Sequence, residues 1–143
     1  MKKKGFTLVE LLVVIAIIGL LSSIVLVSLT GARKRARDAN RQSVIRQINT
    51  AMEMCYDDAG CGGGSEKYKV FPVGSSLNGT SVGPYMTIPR DPIYNYLAAT
   101  SNEQKYCIYI QLESGGCACA SNKGVAVTST TANCSSTCCG MNP

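Results

Sequence analysis

The sequence predicts an α+β protein in which a long N-terminal α-helix, whose first half is transmembrane, packs against a small C-terminal antiparallel β-sheet. Three observations predict this arrangement. Residues Leu11–Ala32 carry no charged side chain, and no proline interrupts residues 6–58. Strand-like alternation of apolar residues begins only near Tyr94. One helix therefore precedes one sheet along the chain.

The uncharged segment is long enough to cross a bilayer as a helix. Its 22 residues span about 33 Å at about 1.5 Å per residue, against a hydrocarbon core of about 30 Å. One carboxylate, Glu10, lies among aliphatic residues at the start of the segment. An ionisable group at the centre of a membrane costs about 2.5–3.5 kcal/mol even on the gentler insertion scales. Glu10 therefore needs a partner or a function.

The second half of the same helix is amphipathic. Its polar residues Arg41, Arg46, Gln47 and Glu53 are expected mostly off the apolar face, which consists of Val44, Ile45, Ile48, Ala51, Met52 and Cys55. Of these, we expect Val44, Ile45, Ile48 and Met52 to face the sheet. The helix is expected to end near residue 58, shortly before a glycine run at 62–64.

Three strands are predicted in the last third of the chain. Tyr106–Leu112 alternates in a way that suits a half-buried antiparallel strand, Val125 and Val127 indicate a second, and Tyr94–Ala98 a third. Residues 66–94 are rich in Gly, Pro, Ser and Asn and predict a loop with one short strand. The tail from Thr131 is expected to be irregular.

Composition argues against an enzyme or a nucleic-acid-binding domain. The chain has no histidine, which removes the commonest general base, and no paired catalytic carboxylates are evident. The excess positive charge behind the net +5 lies in the leader and in the Arg33–Arg46 segment. After residue 50 there are seven acidic and five basic residues, so a basic surface does not extend past the helix.

Eight cysteines indicate how a small domain is stabilised. Outside the membrane an even number favours disulfides, and their connectivity is left open by the sequence. We expect no bond within Cys138-Cys139 or within Cys117-x-Cys119, because neither spacing gives suitable geometry. The eight candidates are Cys55, Cys61, Cys107, Cys117, Cys119, Cys134, Cys138 and Cys139.

Two arrangements of these cysteines are open. In one, a bridge from Cys55 to Cys61 ties the end of the helix to the following loop. In the other, the thiolates hold a metal, but the spacing lacks the paired C-x2-C of a zinc ribbon. The thiolates of that alternative are Cys117, Cys119, Cys134, Cys138 and Cys139.

The N-terminus has three interpretations. A secretory signal peptide would need a shorter apolar core and a small-x-small cleavage site before Arg33. A plain membrane anchor would leave Gly5 and Glu10 without a purpose. The third interpretation uses all the features: a basic leader that ends at Gly5, an apolar residue at Phe6, and Glu10 four residues later.

This pattern, Lys2-Lys-Lys-Gly-Phe-Thr-Leu-Val-Glu10 followed by the apolar helix, resembles the N-terminus of type IV pilins and type II secretion pseudopilins. The resemblance extends through Ala32–Arg41 and the apolar stripe. It implies a leader at 1–5, a transmembrane and filament-core helix at 6–30, its amphipathic half at 31–58, and a small Cys-rich β domain at 59–143. In this family, C-terminal loops are often stapled by disulfides.

The resemblance also implies a life cycle. A prepilin peptidase would cut between Gly5 and Phe6 and methylate the new amine of Phe6. The subunit would wait as a single-pass inner-membrane protein with its C-terminal domain outside. An assembly platform driven by a cytoplasmic ATPase would then move it into a helical filament of identical subunits, periplasmic or extracellular, in which Phe6 and Glu10 govern assembly.

Charge supports the Glu10 assignment, whereas it does not settle topology. Cleavage creates an amine at Phe6, and a carboxylate in a low-dielectric helix bundle is strongly attracted to such a group on a neighbouring subunit.

Basic residues flank the apolar segment on both sides, so only the resemblance places the C-terminal domain outside. The Arg33–Arg46 cluster is expected to be a solvated face or a headgroup contact; nucleic-acid binding is not expected, although DNA uptake remains an alternative.

A second stretch resembles one subgroup. Pro89-Arg-Asp-Pro92 is similar to a segment of the major secretion pseudopilins, in which downstream carboxylates can hold calcium. Here the usual Trp-Gly is replaced by Ile93-Tyr94 and no acidic cluster follows Glu113, so no cofactor is expected and calcium is weakly supported. Because the Pro89–Pro92 stretch resembles that subgroup, a pseudopilus subunit for protein secretion is the nearest alternative. The alternative from another class is a membrane-anchored, Cys-rich binding domain that never polymerises.

Overall fold

The computed structural model describes residues 5–61, 64–131, 134 and 137–143. Most of the basic leader and the centre of the glycine run lie outside the described residues. The chain divides into two compact units, one that ends at Ala36 and one that spans Arg37–Pro143. The elements are α1 Leu8–Asp57, a 3-10 turn Ala59–Cys61, and strands β1 Ser81–Val82, β2 Met86–Thr87, β3 Leu97–Ser101, β4 Tyr106–Gln111, β5 Cys117–Ser121 and β6 Gly124–Thr128.

The first unit consists mainly of the apolar half of α1. The helix contains an 18-residue window with a mean hydropathy of 2.9, and no part of that window is buried. Side chains from Phe6 to Val25 are exposed. A long helix that is apolar on every side suits a membrane or a helix bundle, not water. The prediction of one helix of about 50 residues is confirmed.

The second unit contains a four-stranded antiparallel sheet in the order β3-β4-β5-β6. Strands β4 and β6 were predicted, whereas β3 lies three residues later than the predicted Tyr94–Ala98. Strand β5 was missed, because Cys117-Ala-Cys-Ala-Ser121 contains no β-branched or aromatic residue. Two short strands, β1 and β2, form a separate hairpin in the segment expected to hold one.

The main core lies between α1 and the inner face of the sheet. Ile45, Ile48 and Met52 are fully buried there, as the apolar stripe predicts. Opposite them β5 contributes the small residues Ala118 and Ala120. Two alanines at the centre of the sheet leave room for the large side chains of the helix, so the small residues that hid β5 from prediction belong to the packing.

A second core covers the outer face of the sheet. The C-terminal tail packs against β4 and β5 through a buried cysteine cluster. On the outer face of β4, Cys107 is buried, Tyr109 is half-buried and Gln111 is exposed, so the tail covers this face of the strand mainly at its start. Three bridges hold the tail there, and a fourth, Cys55–Cys61, closes the end of α1. The prediction of disulfides is confirmed, and the three tail bridges are Cys107–Cys138, Cys117–Cys134 and Cys119–Cys139.

Candidate assembly and processing site

The residues expected to be cleaved and methylated lie just before α1. Gly5, Phe6 and Thr7 precede the first helical residue, Leu8, and the side chain of Phe6 is 84% exposed. A Cβ placed on Gly5 would meet no atom within 4 Å. The fold therefore does not require glycine at this position. If Gly5 is needed, the reason lies in an enzyme that must accommodate it.

Glu10 forms a capping box with Thr7. The backbone N–H and the hydroxyl of Thr7 both donate to Oε2 of Glu10, at 2.8 and 2.6 Å, and the N–H of Glu10 donates to the Thr7 hydroxyl at 3.3 Å. This reciprocal pair satisfies donors at the helix N-terminus. Thr7 was not singled out from the sequence, although Thr-x-x-Glu before an apolar run is a recognisable signature of such a cap.

The cap leaves half of the carboxylate available. Both bonds from Thr7 go to Oε2 of Glu10, and no described residue donates to its Oε1. The partly satisfied carboxylate is less costly to hold in an apolar segment than a bare one, because hydrogen bonds offset part of its desolvation. Glu10 can therefore hold its own helix end and still accept a bond from another group.

A buried ion-pair cluster lies where α1 meets the sheet domain. Arg41 has no exposed side-chain surface, and its Nε and Nη2 donate to the two oxygens of Asp91 at 2.8 and 2.9 Å. Its Nη1 donates to Asp38 and Glu113, at 2.8 and 2.9 Å. The guanidinium also stacks 5.0 Å from the ring centre of Tyr94. One side chain thus joins the helix, the 89–94 loop and the turn after β4.

The carboxylates of this cluster fix the backbone around them. Asp38 accepts the N–H groups of Glu113 and Ser114 at 2.8 and 2.9 Å, and Asp91 accepts those of Ile93 and Tyr94, both at 2.9 Å. Each carboxylate therefore binds a cation and shapes a turn at once. Such charge-assisted bonds are roughly twice as strong as neutral ones.

The same bonds shift the acidity of the carboxylates. A hydrogen bond from Arg37, with further help from Arg41, lowers the pKa of Glu113 to about 2. Burial alone raises the pKa of Asp91, but hydrogen bonds from Arg41 and from the backbone of Tyr94 and Ile93 outweigh it, so the net pKa is lowered. Asp38 follows the same balance, and its pKa is also lowered. All three groups are charged at neutral pH.

Two expectations about Arg33–Arg46 were wrong in part. Arg41 was placed off the apolar face, yet it is fully buried, because three carboxylates surround it. Arg37 also pairs with Glu113, at 2.6 Å, so it is not simply solvated. Arg33, Arg35 and Arg46 are exposed, as expected. A pattern of apolar residues cannot reveal a charge that is buried with its partners.

The cysteines that were considered as a metal site are oxidised. The sulfur atoms of Cys117, Cys119 and Cys139 lie within 4.8 Å of one another, the spacing of a thiolate site. Each of them belongs to a disulfide, and all eight cysteines are paired. A disulfide sulfur is not the thiolate that binds zinc. This geometry supports disulfide bonds between β5 and the C-terminal tail.

Comparisons with known proteins agree with the N-terminal pattern. Residues 1–26 match the prokaryotic N-terminal methylation motif. The chain is 34% identical over 133 residues to the type IV wide pilus major component PilA4 of Thermus thermophilus, covering 89% of this chain and 88% of that protein. The chain belongs to the type IV pilin family. A second relative within this pilin-like group is the type II secretion system core protein G of Escherichia coli, 42% identical over 53 residues, which are 37% of each chain.

Removal of Arg41 is expected to destabilise this pilin strongly. Arg41→Ala leaves Asp38 and Asp91 buried without their guanidinium, so the free energy of unfolding should fall by about 3–5 kcal/mol. Arg41→Lys should lose less, since an ammonium keeps the charge but not the bidentate geometry. Urea unfolding of the full chain in detergent, followed by near-ultraviolet circular dichroism, measures both.

The matched control for Arg41 is Arg46→Ala, which removes an exposed arginine from the same helix. Its effect on the unfolding free energy should stay within about 0.5 kcal/mol. Equal losses for the two variants would show that the buried cluster does not stabilise the fold.

Acid should destabilise the fold through the same cluster. The pKa values of Asp38, Asp91 and Glu113 are lowered by folding, so their contribution is present above the unfolded pKa values and is lost as pH falls through the folded ones. The melting temperature should therefore drop between about pH 5 and about pH 2. Arg41→Ala should show a flatter profile over this range, and parallel profiles for the two proteins would contradict the assignment.

Proposed function

We propose that this chain is a structural subunit that is cleaved after Gly5, methylated at Phe6 and polymerised into a type IV pilus-like filament. The observation that carries the proposal is the N-terminal site: an exposed Gly5-Phe6 bond next to a capped Glu10, at the start of a helix that is apolar on every side. The match to the methylation motif and the similarity to a pilus component over most of the chain support it.

The geometry suggests how Glu10 acts in assembly. Cleavage would leave a charged amine on Phe6, one residue from the Thr7 N–H that bonds Oε2 of Glu10. The free Oε1 is then available to the amine of a neighbouring subunit. Inside a bundle of apolar helices such a pair would be worth more for correct register than for raw stability, because an unpaired partner would be left buried.

Before assembly, the apolar half of α1 would hold the subunit in the inner membrane with the second unit outside. Four disulfides in the second unit support an oxidising location. A prepilin peptidase, an assembly platform and a cytoplasmic ATPase are the partners that this route requires. No catalytic role is proposed, since the family relatives are named as pilus and secretion-system components.

A secretion pseudopilus is the second candidate, and one observation bears on it. The similarity to the secretion protein covers 37% of the chain, whereas the similarity to the pilus component covers 89%. The Pro89–Pro92 stretch, which favoured the pseudopilin, supplies Asp91 to Arg41. The carboxylates that a calcium ion would need there are already bound to guanidinium groups. The pilus assignment is therefore preferred.

Processing is tested by the intact mass and the N-terminal peptide of the protein isolated from membranes. The expected product begins at Phe6 and carries one methyl group on its amine. A control strain without peptidase activity should retain Met1. A chain that begins at Met1 in cells with an active peptidase would refute the proposal and leave a simple membrane-anchored domain.

Glu10 variants separate assembly from helix capping. Glu10→Ala should abolish filaments or reduce them sharply, and Glu10→Gln should do nearly the same, because an amide keeps the cap acceptor but loses the charge. Thr7→Val is the control: it removes the cap hydroxyl and keeps the carboxylate, so filaments should persist. Filaments counted by electron microscopy at equal membrane levels give the answer. Normal filaments with Glu10→Gln would exclude the charge as the cause.

A further inference from the structure

One flank of the second unit is an exposed strand edge. We name it the valine edge and define it as residues 123–128. Val125 and Val127 are 37% and 49% exposed, and β6 is an end strand of its sheet. No charged residue occurs from Gly124 to Thr131. An uncharged edge strand with apolar side chains is a ready template for contact with another chain.

The other flank contains a groove of about 430 Å³ between α1 and the β1–β2 hairpin. Met54 and Tyr85, which line it, are 50% and 41% exposed. Arg46 lies at one end of the groove and forms no ion pair with a described residue. Asp58 marks the opposite end, where it accepts a bond from the Tyr85 hydroxyl at 2.9 Å.

Backbone hydrogen bonds place these two surfaces on opposite sides of the unit. The segment after Val73 runs along the free edge of β3. The N–H of Gly74 donates to the carbonyl of Ala98 at 2.7 Å, and the N–H of Leu77 donates to the carbonyl of Tyr96 at 2.8 Å. The β1–β2 hairpin follows this segment, whereas β6 lies at the far end of the sheet. A contact that joins two different surfaces of one chain is heterologous, and it builds an open helical array if it does not close into a ring.

The orientation of the valine edge relative to the groove follows from the strand directions. The hydroxyl of Tyr106, at the start of β4, lies 3.2 Å from Glu53, and Glu113, just after β4, binds Arg41. Strand β4 therefore runs from the C-terminal end of α1 towards Arg41, and β6, two antiparallel pairings away, runs the same way. Lys123 thus lies towards the acidic end of α1.

Charge and length match along that direction. The five-residue step from Lys123 to Thr128 covers about 17 Å at about 3.4 Å per residue. The eleven-residue step from Arg46 to Asp57 also covers about 17 Å of helix. An ammonium at one end of the valine edge can thus meet a carboxylate at the acidic end of the groove. Asp57 and Lys123 are both exposed, and neither forms an ion pair with a described residue.

We propose that the valine edge of one copy docks into the groove of a second copy. Val125 and Val127 cover Met54 and Tyr85, while Lys123 meets the carboxylates at residues 57 and 58. At the opposite end the Arg46 guanidinium donates to outward carbonyl groups near the end of β6. This contact rests on the proposed function, because it is the lateral packing of subunits within a filament.

Photo-cross-linking in intact filaments maps the contact. A benzophenone amino acid at Val127 should give cross-linked dimers whose adduct peptide contains Met54 or Tyr85-Met86. The same probe at Ile93 is the control and should not reach those residues: Ile93 is 51% exposed and lines a separate depression with Leu97 and Tyr109. Adducts from position 127 that map to any other surface would overturn the proposal.

Charge exchange tests the orientation. Lys123→Glu and Asp57→Lys should each reduce filament number by about tenfold or more through like-charge contacts, and the double variant should restore it. Asp57→Lys places a cation at a helix C-terminus, which favours folding. A loss of filaments in this variant is therefore not a folding defect. Lys105→Glu is the matched control: Lys105 and Lys123 both donate to tail carbonyls, at 3.1 and 2.6 Å, but Lys105 is outside the valine edge.

The outcomes separate this contact from the proposed function. If the wild-type chain is processed and forms filaments, but the single variants assemble normally or the double variant does not recover, the docking proposal is wrong and the filament function stands. If the wild-type chain forms no filaments under conditions in which it is processed, the proposed function itself fails.

Discussion

The buried guanidinium of Arg41 is the interaction on which the second unit depends. It lies at the point where a helix, a proline-flanked loop and the turn between two strands converge, and it satisfies a carboxylate from each. Because breaking a buried ion pair by removing one partner leaves an uncompensated charge, the three segments are coupled. The apolar stripe packs the helix against the sheet, and this charge specifies which loop meets which turn.

Around that point the domain is built as three layers: helix, sheet and stapled tail. A domain of this size has a thin core, and its outer sheet face would ordinarily meet water. Here the tail covers that face, and disulfides replace the apolar area that a longer chain would provide. Strand β5 can therefore present small residues, alanine to the helix and cysteine to the tail, beside the larger residues of β4.

Much of this arrangement could be predicted from residue patterns, and each failure has an identifiable cause. The long helix and its buried stripe follow from spacing, since Ile45, Ile48 and Met52 recur on one face. Strand β5 and the burial of Arg41 could not be predicted, because each depends on partners that are distant in sequence: the tail for Cys117 and Cys119, the carboxylates for Arg41. The cap at Thr7 is different. Its signature is local and was available from the sequence.

The three disulfides that join the tail to the sheet constrain the order in which the second unit is completed. Cysteines 107, 117 and 119 take their partners from Cys138, Cys134 and Cys139, so the outer sheet face cannot be covered until the end of the chain is present. A chain interrupted before residue 134 would expose three unpaired thiols and two bare strands. The second unit therefore completes its outer layer with the last residues of the chain, and three of its four disulfides need those residues.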